Sequence, residues 1–452
     1  MPASVRIVEE ARVAVPAAAA LPPEPLRLSA LDALWIALPL IQRVLVFDGG
    51  AGGDLPPFAS VVAALRASLA DTLARFPPLA GKVVHLPSTG DAAIDCTAEG
   101  VAAGVRFLVA ESDDADVPRL AADPDHDLEA FRGLVPALDA GALPAETFAA
   151  QVTRLRRGGG VALGVAMHHG VADGRSVWRF LQAWAAACRG EGEADAAAAP
   201  PAFDRAALKL PGGEELARSV LRKYAPELPV ATMAGVLVRP NLARRTFTFS
   251  AHQMRRLKHR IATADPATPP PSSFVAVAAL AWVSFVRAKH PAVVSPADEV
   301  TLFFLADVRT RLDPPPGDAY FGTCVAGCLA RAAARDLLLA GGVGIAAAAA
   351  AVQAEVRRAA AAPLALWDWM ELVGRVDLER VVNMTGSTRF PAYEAADFGW
   401  GAPARTELVT MNHDGQVVLL AGKGGGGGVQ ASVSIHEAHM DAFRAHFLSY
   451  FD

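Results

Sequence analysis

A histidine and an aspartate separated by three residues form the pattern in this chain that best suits chemistry. His169 and Asp173 lie on a turn bounded by Gly170 and Gly174. The unperturbed pKa of histidine is about 6.5, so a histidine ring can remove a proton at neutral pH. The carboxylate of Asp173 could orient the ring, or it could anchor the turn through a basic partner. We interpret His168 as structural because neighbouring side chains point in different directions.

A buried strand and an amphipathic helix must hold this turn in place. Residues 161–167 form a nearly unbroken apolar run, which predicts a buried strand. Apolar residues then recur at helical spacing over 177–188, and Asp173 or Ser176 could cap that helix. We therefore expect the ring of His169 to project into a cleft from a rigid strand-to-helix turn.

The rest of the chain mixes both types of element, which predicts an α/β fold. Periodicity predicts helices over 58–73, from the 270s to Arg287 and over 343–361, and strands over 300–305, 416–421 and 429–435, the last two forming a hairpin. Residues 190–201 consist mainly of Gly, Glu, Asp, Ala and Pro, a composition typical of a linker. We therefore place an N-terminal domain at 1–189, a crossover linker at 190–215 and a C-terminal domain at 216–452.

The overall composition excludes several functional classes. With 52% hydrophobic and 20% charged residues, a chain of 452 residues should form two or three globular domains. The net charge of -5, without a block of like charges, argues against nucleic acid as the main partner. The four cysteines do not indicate a zinc site or a disulfide framework. No signal core or membrane span is expected, so the prediction is a cytoplasmic protein.

Metal and dinucleotide sites lack the spacing they need. The His168–His169 doublet could be half of a metal site, but no other His, Asp or Glu cluster accompanies it convincingly. Residues 436–439 are one residue short of the HExxH pattern, and we predict a helix start there. The glycines at 341–344 and after 424 do not form GxGxxG between a strand and a helix. We expect neither a metal nor a permanently bound cofactor.

A second pattern, Asp-Phe-Gly-Trp-Gly, occupies residues 397–401 near the C-terminus. Two glycines around a tryptophan, followed by Pro403, predict a rigid turn. Ordering glycine costs backbone entropy, so we expect this turn to have a structural purpose.

The HxxxD and DFGWG patterns occur together, and the combination resembles the plant BAHD family of acyl-CoA-dependent acyltransferases. Residues 28–32 resemble the LSxxD segment of that family, 76–82 its YPLAGR-like segment, and 307–312 its DxRxRL segment. Residues 320–324 resemble YFGNC, which is typical of the anthocyanin and phenolic-glucoside malonyltransferase branch. They depart from it at Thr323, where asparagine is usual.

This resemblance implies the fold, the partners and the roles of several residues. It implies two similar mixed-sheet domains with a channel between them, an acyl-CoA co-substrate, a small phenolic acceptor and a monomer. It also implies direct transfer, in which His169 takes a proton from the acceptor and returns it to the thiolate of coenzyme A. Structural roles fall to Asp173, paired with Arg309, and to Asp397, Gly399, Trp400 and Gly401.

The donor and acceptor follow from the branch of the family. Malonyl-CoA is the favoured donor, and its free carboxylate needs a cationic partner, for which Arg175 and Arg389 are candidates. Ser387, Thr388 or a backbone N–H could stabilise the oxyanion. The favoured acceptor is a hydroxyl of a phenolic or flavonoid glucoside. The alternatives are a hydroxycinnamoyl-CoA transferase acting on an alcohol or amine, and a catalytically silent relative that binds a ligand or partner.

Overall fold

The computed structural model describes residues 5–49, 55–191, 199–231, 241–266, 269–410 and 413–451. In chain order the strands are β1 (Val5–Val13), β2 (Leu26–Arg27), β3 (Ile41–Phe47), β4 (Lys82–Leu86), β5 (Asp91–Asp95), β6 (Val105–Ser112), β7 (Ala145–Glu146), β8 (Phe148–Leu155), β9 (Gly160–Met167), β10 (Leu242–Phe249), β11 (Glu299–Asp307), β12 (Val325–Ala333), β13 (Val381–Gly386), β14 (Arg405–Leu408), β15 (Gln416–Ala421) and β16 (Val429–His436). The helices are α1 (Ala30–Ala33), α2 (Phe58–Arg75), α3 (Val117–Ala122), α4 (Leu128–Gly133), α5 (Gly174–Cys188), α6 (Gly213–Tyr224), α7 (Ala251–Ala264), α8 (Ser273–Lys289), α9 (Ala334–Leu337), α10 (Val343–Ala361), α11 (Trp369–Val373) and α12 (Glu437–Leu448).

Two six-stranded mixed sheets dominate the molecule. Their strand orders are β1-β6-β8-β9-β3-β14 and β10-β16-β15-β13-β11-β12, and a four-stranded sheet of order β2-β5-β4-β7 lies beside the first. The first sheet contains a parallel pair, β6 with β8, and the second contains two, β11 with β13 and β13 with β15. This architecture confirms the predicted α/β class with two mixed-sheet halves.

Strand β14 connects the two halves. It comes from the C-terminal part of the chain, yet it pairs antiparallel with β3, with Arg405 opposite Val46 and Leu408 opposite Arg43. The predicted linker includes residues 192–198, which lie outside the described part of the chain, so the boundaries at 190–215 stay a prediction. The first sheet is completed by a segment more than 200 residues later in the sequence.

Each sheet packs its own hydrophobic core against helices. Helix α2 places Val61, Leu65, Leu69 and Leu73 on one fully buried face, four residues apart, as an amphipathic helix requires. Helix α8 belongs to a second core built with α7, α10 and α12. It is buried on nearly every side, because these elements surround it.

Most predicted elements are confirmed, with ends that differ by a few residues. The strand over 161–167 is β9, and the helix over 343–361 is α10. The predicted hairpin is β15 and β16, paired from Gln416 opposite Ser434 to Ala421 opposite Val429. The segment at 436–439 starts α12, with His436 as its N-cap. Within the described residues, no helix combines the length and apolar character needed to cross a membrane.

Candidate active site

The HxxxD turn connects the last residue of β9 to the first residue of α5. The backbone N–H of His168 donates to the carbonyl of Thr147 at 2.9 Å, which continues the sheet one residue beyond β9. The ring Nδ1 of His168 accepts from the N–H of Gly170 at 3.1 Å, and the residue is 1% exposed. Burial, together with the neighbouring His169, lowers the pKa of His168 to about 4. His168 is therefore a neutral residue that shapes the turn.

The ring of His169 stacks on an aromatic side chain. Its centroid lies 3.6 Å from that of Trp35, and the two planes differ by 9°. Nδ1 of His169 is buried without a hydrogen-bond partner, which leaves Nε2 as the nitrogen available to a substrate. Burial lowers the pKa of His169 to about 4, and this outweighs the backbone carbonyl of His169 and the nearby Asp173, which both raise that pKa. The ring is therefore neutral at physiological pH and able to accept a proton.

The carboxylate of Asp173 is engaged away from the His169 ring. Its Oδ1 accepts from the N–H of Ser176 at 3.0 Å, which caps α5. Its Oδ2 lies 2.8 Å from Nη1 of Arg309 and accepts from the N–H of Cys324 at 3.1 Å. Burial alone would raise the pKa of Asp173, but Arg309 and the backbone donors outweigh it and hold that pKa below its ordinary value. The structure thus brings Asp173 and Arg309 together, as the family resemblance implies.

Arg309 also ties the C-terminal half of the chain to α5. Its Nη2 donates to the carbonyl of Gly322 at 2.9 Å and to Oγ of Ser176 at 3.2 Å. Its Nε donates to the carbonyl of Tyr320 at 3.3 Å. The segment over 320–324 is thereby held directly against the HxxxD turn, although the two lie about 150 residues apart in the sequence.

Thr323 and Asp32 hold the backbone around His169. The hydroxyl of Thr323 donates to the carbonyl of His169 at 3.3 Å, and its N–H donates to Oδ1 of Asp32 at 2.9 Å. Asp32 also forms a capping box with Ser29, and its Oδ2 lies 3.6 Å from Nε of Arg205. Thr323, the position that departs from YFGNC, thus contacts the histidine through the main chain.

The segment over 387–390 packs on the first turn of α5. A Cβ added to Gly174 would lie 3.2 Å from Cε2 of Phe390, so the phenyl ring leaves little space at this position. The hydroxyl of Ser387 accepts from the N–H of Arg389 at 3.1 Å. The packing of Phe390 against Gly174 brings Ser387, Thr388 and Arg389 to the same end of α5 as the HxxxD turn.

The two arginines that could bind a carboxylate differ in their surroundings. Nη1 of Arg175 lies 3.2 Å from Asp307 and Nη2 lies 2.8 Å from Asp318, with 40% of the side chain exposed. The exposed Arg389 forms no ion pair among the described parts of the chain. Arg175 would have to exchange an existing carboxylate partner before it could bind another.

The DFGWG turn lies at the other end of α5. Oδ1 of Asp397 accepts from the N–H groups of Gly399 at 2.9 Å and Gly401 at 3.0 Å. Both glycines have positive φ values, +105° and +89°, which L residues rarely adopt. The carbonyl of Asp397 accepts from Nη1 of Arg189, the C-cap residue of α5. Fifteen helical residues, roughly 22 Å at 1.5 Å each, separate this turn from the HxxxD turn.

Aromatic packing fixes the DFGWG turn against the first sheet. The buried ring of Phe398 packs edge-on against Trp184 at 5.4 Å and against Phe47 at 6.2 Å. Trp400 stacks on Phe398 at 5.8 Å and meets Phe47 at 5.9 Å. Strand β14 begins shortly after this turn, so the turn directs the chain into the first sheet.

Sequence reasoning missed several residues of this site. Trp35 received no role, although it stacks directly on His169. In the sequence, Asp32 and Thr323 stand out only as parts of family motifs, and nothing singles out Arg205. A local signal existed only for Asp32, since Ser29 and Asp32 have the spacing of a capping box. In the described ranges, no group of three or more His, Cys, Asp or Glu residues could hold a metal ion.

Comparisons with known proteins show the family to which the chain belongs. The profile described as Transferase family matches residues 3–449. Phenolic glucoside malonyltransferase 2 of Arabidopsis thaliana is 27% identical over 440 residues, with 93% of each chain covered. A hydroxycinnamoyl-CoA:5-hydroxyanthranilate N-hydroxycinnamoyltransferase of Avena sativa is 30% identical over 416 residues, with 88% of each chain covered.

Solved structures share the fold at lower sequence identity. Vinorine synthase has a TM-score of 0.75 at 21% identity, with 99% of each chain covered. The TRI101 protein of F. sporotrichioides, complexed with coenzyme A and T-2, has a TM-score of 0.72 at 18% identity. It covers 93% of this chain and 97% of its own. Both halves of the present chain therefore follow an established architecture.

Proposed function

Since the chain belongs to the Transferase family, also known as BAHD, and is an acyl-CoA-dependent acyltransferase, we propose that it moves a malonyl group from malonyl-CoA to a hydroxyl of a phenolic or flavonoid glucoside. The observation that carries the proposal is His169, a neutral histidine with an available Nε2 on a turn held by both halves of the chain. The names of the malonyltransferase relatives support the donor and the acceptor class.

The proposed reaction is direct transfer without an acyl-enzyme. Nε2 of His169 takes the proton of the acceptor hydroxyl while the oxygen attacks the thioester carbonyl. The tetrahedral intermediate then collapses, the carbon–sulfur bond breaks, and Nε2 returns the proton to the thiolate of coenzyme A. Holding both substrates in a channel between the two halves supplies the proximity that the reaction needs.

Two further roles fall to the segment that packs on α5. Ser387, Thr388 or a backbone N–H beside them stabilises the negative charge on the former carbonyl oxygen. Arg389 binds the malonyl carboxylate, and Arg175 is the second candidate. Arg389 is favoured because Arg175 already lies against Asp307 and Asp318. Asp173 and Arg309 act structurally, by holding the turn that carries His169.

The finer organisation is part of the same proposal. We infer an N-terminal domain at 1–189 and a C-terminal domain at 216–452, acting as a cytoplasmic monomer without a permanently bound cofactor. Coenzyme A appears in the crystal structure of a fold neighbour, which supports acyl-CoA as the co-substrate.

A hydroxycinnamoyl-CoA donor is the second candidate, and two observations favour it. Relatives that are 30% identical carry hydroxycinnamoyltransferase names. In addition, Trp35, Trp369 and Phe303 form an aromatic row beside His169, which suits an aromatic acyl group. A catalytically silent relative remains the alternative of another class.

A donor panel tests these functions directly. The protein would be incubated with malonyl-, acetyl-, coumaroyl- and feruloyl-CoA against a mixture of phenolic glucosides, and released coenzyme A would be measured. Release with malonyl-CoA alone is the expected result. Release with the aromatic donors instead would establish the second candidate. If no pair reacts and simple alcohol and amine acceptors also fail, the silent relative becomes the better account.

Arginine variants then locate the carboxylate partner. Arg389→Ala should raise KM for malonyl-CoA and spare acetyl-CoA, because only the malonyl group carries the extra charge. Arg175→Ala is the matched comparison, and the same selective effect in that variant alone would transfer the role to Arg175. Equal losses with both donors would remove either residue as the carboxylate partner.

A further inference from the structure

Trp35 lies against the face of the His169 ring, and no step of the proposed reaction uses it. The two ring centroids are 3.6 Å apart and the planes are nearly parallel. Trp35 is 2% exposed, and its Nε1 is buried without a partner. The indole therefore presents its face, rather than a hydrogen bond, to His169.

Two parts of the chain hold the indole in place. The N–H of Trp35 donates to the carbonyl of Asp32 at 3.0 Å, directly after the capped turn of α1. The ring of Trp369 packs against Trp35 at 4.9 Å, and Phe303 of β11 packs against Trp369 at 5.4 Å. A row of aromatic rings thus runs from the second sheet to His169.

Proton transfer places a positive charge on the ring of His169, and its own backbone carbonyl and Asp173 favour that charge less than burial opposes it. Both oxygens of Asp173 are engaged by Arg309, Ser176 and Cys324, and Nδ1 of His169 has no hydrogen-bond partner. When Nε2 takes a proton, the ring becomes an imidazolium that is only partly exposed to solvent. The electron-rich face of an indole attracts a cation placed over it.

We propose that Trp35 is the positioning residue of the catalytic base, holding the plane of the His169 ring and facing the imidazolium during transfer. This role rests on the proposed function, because it concerns the step in which His169 carries the proton. The proton passes from the acceptor oxygen to Nε2 and from Nε2 to the sulfur. Trp35 exchanges no proton in either step. In many histidine-dependent sites a carboxylate hydrogen-bonded to Nδ1 orients the ring instead.

Comparing Trp35→Phe with Trp35→Leu separates the effect of an aromatic face from the effect of filling the buried space. Both substitutions leave a smaller apolar side chain, but only phenylalanine keeps a face for the imidazolium. We expect kcat of Trp35→Leu to lie about 10-fold below that of Trp35→Phe, with similar KM for acyl-CoA. The NMR titration of the His169 ring should also show a lower pKa in Trp35→Leu than in Trp35→Phe.

Controls keep this test decisive. Trp282→Leu removes a fully buried tryptophan of α8 from the other core, and it should leave the His169 titration unchanged. If Trp35→Leu does not fold, Trp35→Met replaces it in the same comparison. Equal kcat and equal titration in the aromatic and aliphatic variants overturn the proposal, as does an equal shift in Trp282→Leu. The titration needs no substrate, so a failed donor panel and a failed role for Trp35 are distinguishable.

Discussion

Two histidines of this protein, His126 and His169, have similarly lowered pKa values and very different surroundings. Burial lowers the pKa of His126 to about 3, with Arg244 and Arg405 adding to the effect against Glu407. Burial lowers that of His169 to about 4. Nε2 of His126 lies 2.7 Å from Oγ1 of Thr246 and 2.6 Å from Nη2 of Arg405. Nε2 of His169 remains available to a substrate.

The surroundings of His126 form a closed ionic cluster between the two sheets. Glu407 of β14 accepts from Nε of Arg405 at 3.0 Å, from Thr246 at 2.9 Å and from Ser432 at 2.7 Å. Burial alone would raise the pKa of Glu407, but His126 and the arginines lower it to about 2. Strands β10, β14 and β16 meet at this cluster.

The difference shows that a perturbed pKa does not identify a catalytic base. Both rings are neutral at pH 7, so both could in principle accept a proton. The ring of His126 has a structural role, because its Nε2 is hydrogen-bonded to Thr246 and Arg405 in the ionic cluster. The ring of His169 stacks on Trp35, and the hydrogen bond from Thr323 reaches the backbone carbonyl of His169 and not its ring. The availability of one nitrogen separates the two roles.

Removing each ring in turn tests whether the two histidines have different roles. His169→Ala should lower kcat about 100- to 10,000-fold without a loss of folding, because only the base is removed. His126→Ala should leave kcat almost unchanged and lower the free energy of unfolding by about 1–3 kcal/mol, since Arg405 and Thr246 lose a buried partner. Steady-state rates and urea unfolding measure the two effects. Near-normal turnover in His169→Ala would refute the general-base assignment.

Glu407 tests whether the closed cluster serves stability alone. Glu407→Gln leaves buried arginines without their carboxylate, so the free energy of unfolding at pH 7 should fall by about 3–5 kcal/mol. The matched control is Glu299→Gln, which breaks a surface pair with Arg331 and should cost no more than about 1 kcal/mol. Chemical unfolding of both variants gives the answer. Equal stability of the two variants would show that the cluster contributes nothing of its own.

The pH dependence sharpens the comparison, because the two histidines should act alike on stability. Their folded pKa values lie below the unfolded value, so the unfolded chain binds protons that the folded chain does not. Stability should therefore fall as the pH falls below about 6.5, by up to about 1.4 kcal/mol per pH unit for each histidine. Glu407 adds a loss as the pH falls from about 4.5 toward about 2. Between pH 7.5 and pH 5, the free energy of unfolding should depend less steeply on pH in His126→Asn than in the unaltered protein.

Activity should respond to acid through His169 alone. The acidic limb of kcat/KM, measured over the range in which the protein stays folded, should have its midpoint near the lowered pKa of about 4. The same midpoint is expected in His126→Asn. If the acidic limb of kcat/KM had its midpoint near pH 6.5, the group that titrates would not be the stacked ring of His169.

The smallest expected effect concerns the far end of α5. Asp397→Ala removes the acceptor of two backbone N–H groups, so stability should fall by about 1–2 kcal/mol while substrate choice is unchanged. Asp397→Asn keeps an acceptor oxygen and should retain most of that stability. Thermal unfolding and the donor panel measure the two properties. An Asp397→Ala protein with normal stability and selective loss of activity would contradict a structural role.

Local patterns in the sequence predicted the elements that carry the site. The apolar run before His168 and the helical spacing after Asp173 correspond to β9 and α5. Sequence periodicity suffices here because each element is governed by contacts between residues close in the chain. The pairing of β14 with β3 could not be predicted in this way, since its partners lie more than 350 residues apart. The contact of Trp35 with His169 could not be predicted from local patterns either, because it also joins residues far apart in the sequence.

The sequence by itself determined the family and the α/β class, and it singled out His169 as the candidate base. These follow from residue types at short spacing, where the HxxxD and DFGWG motifs can be recognised directly. Only the tertiary structure decided how the groups are used. It placed the face of Trp35 on His169 and closed the cluster around His126, whereas the pairing of Asp173 with Arg309 was already implied by the resemblance. The reason is physical: side-chain partners over long separations are chosen by packing and burial in three dimensions, and neither is written in local spacing.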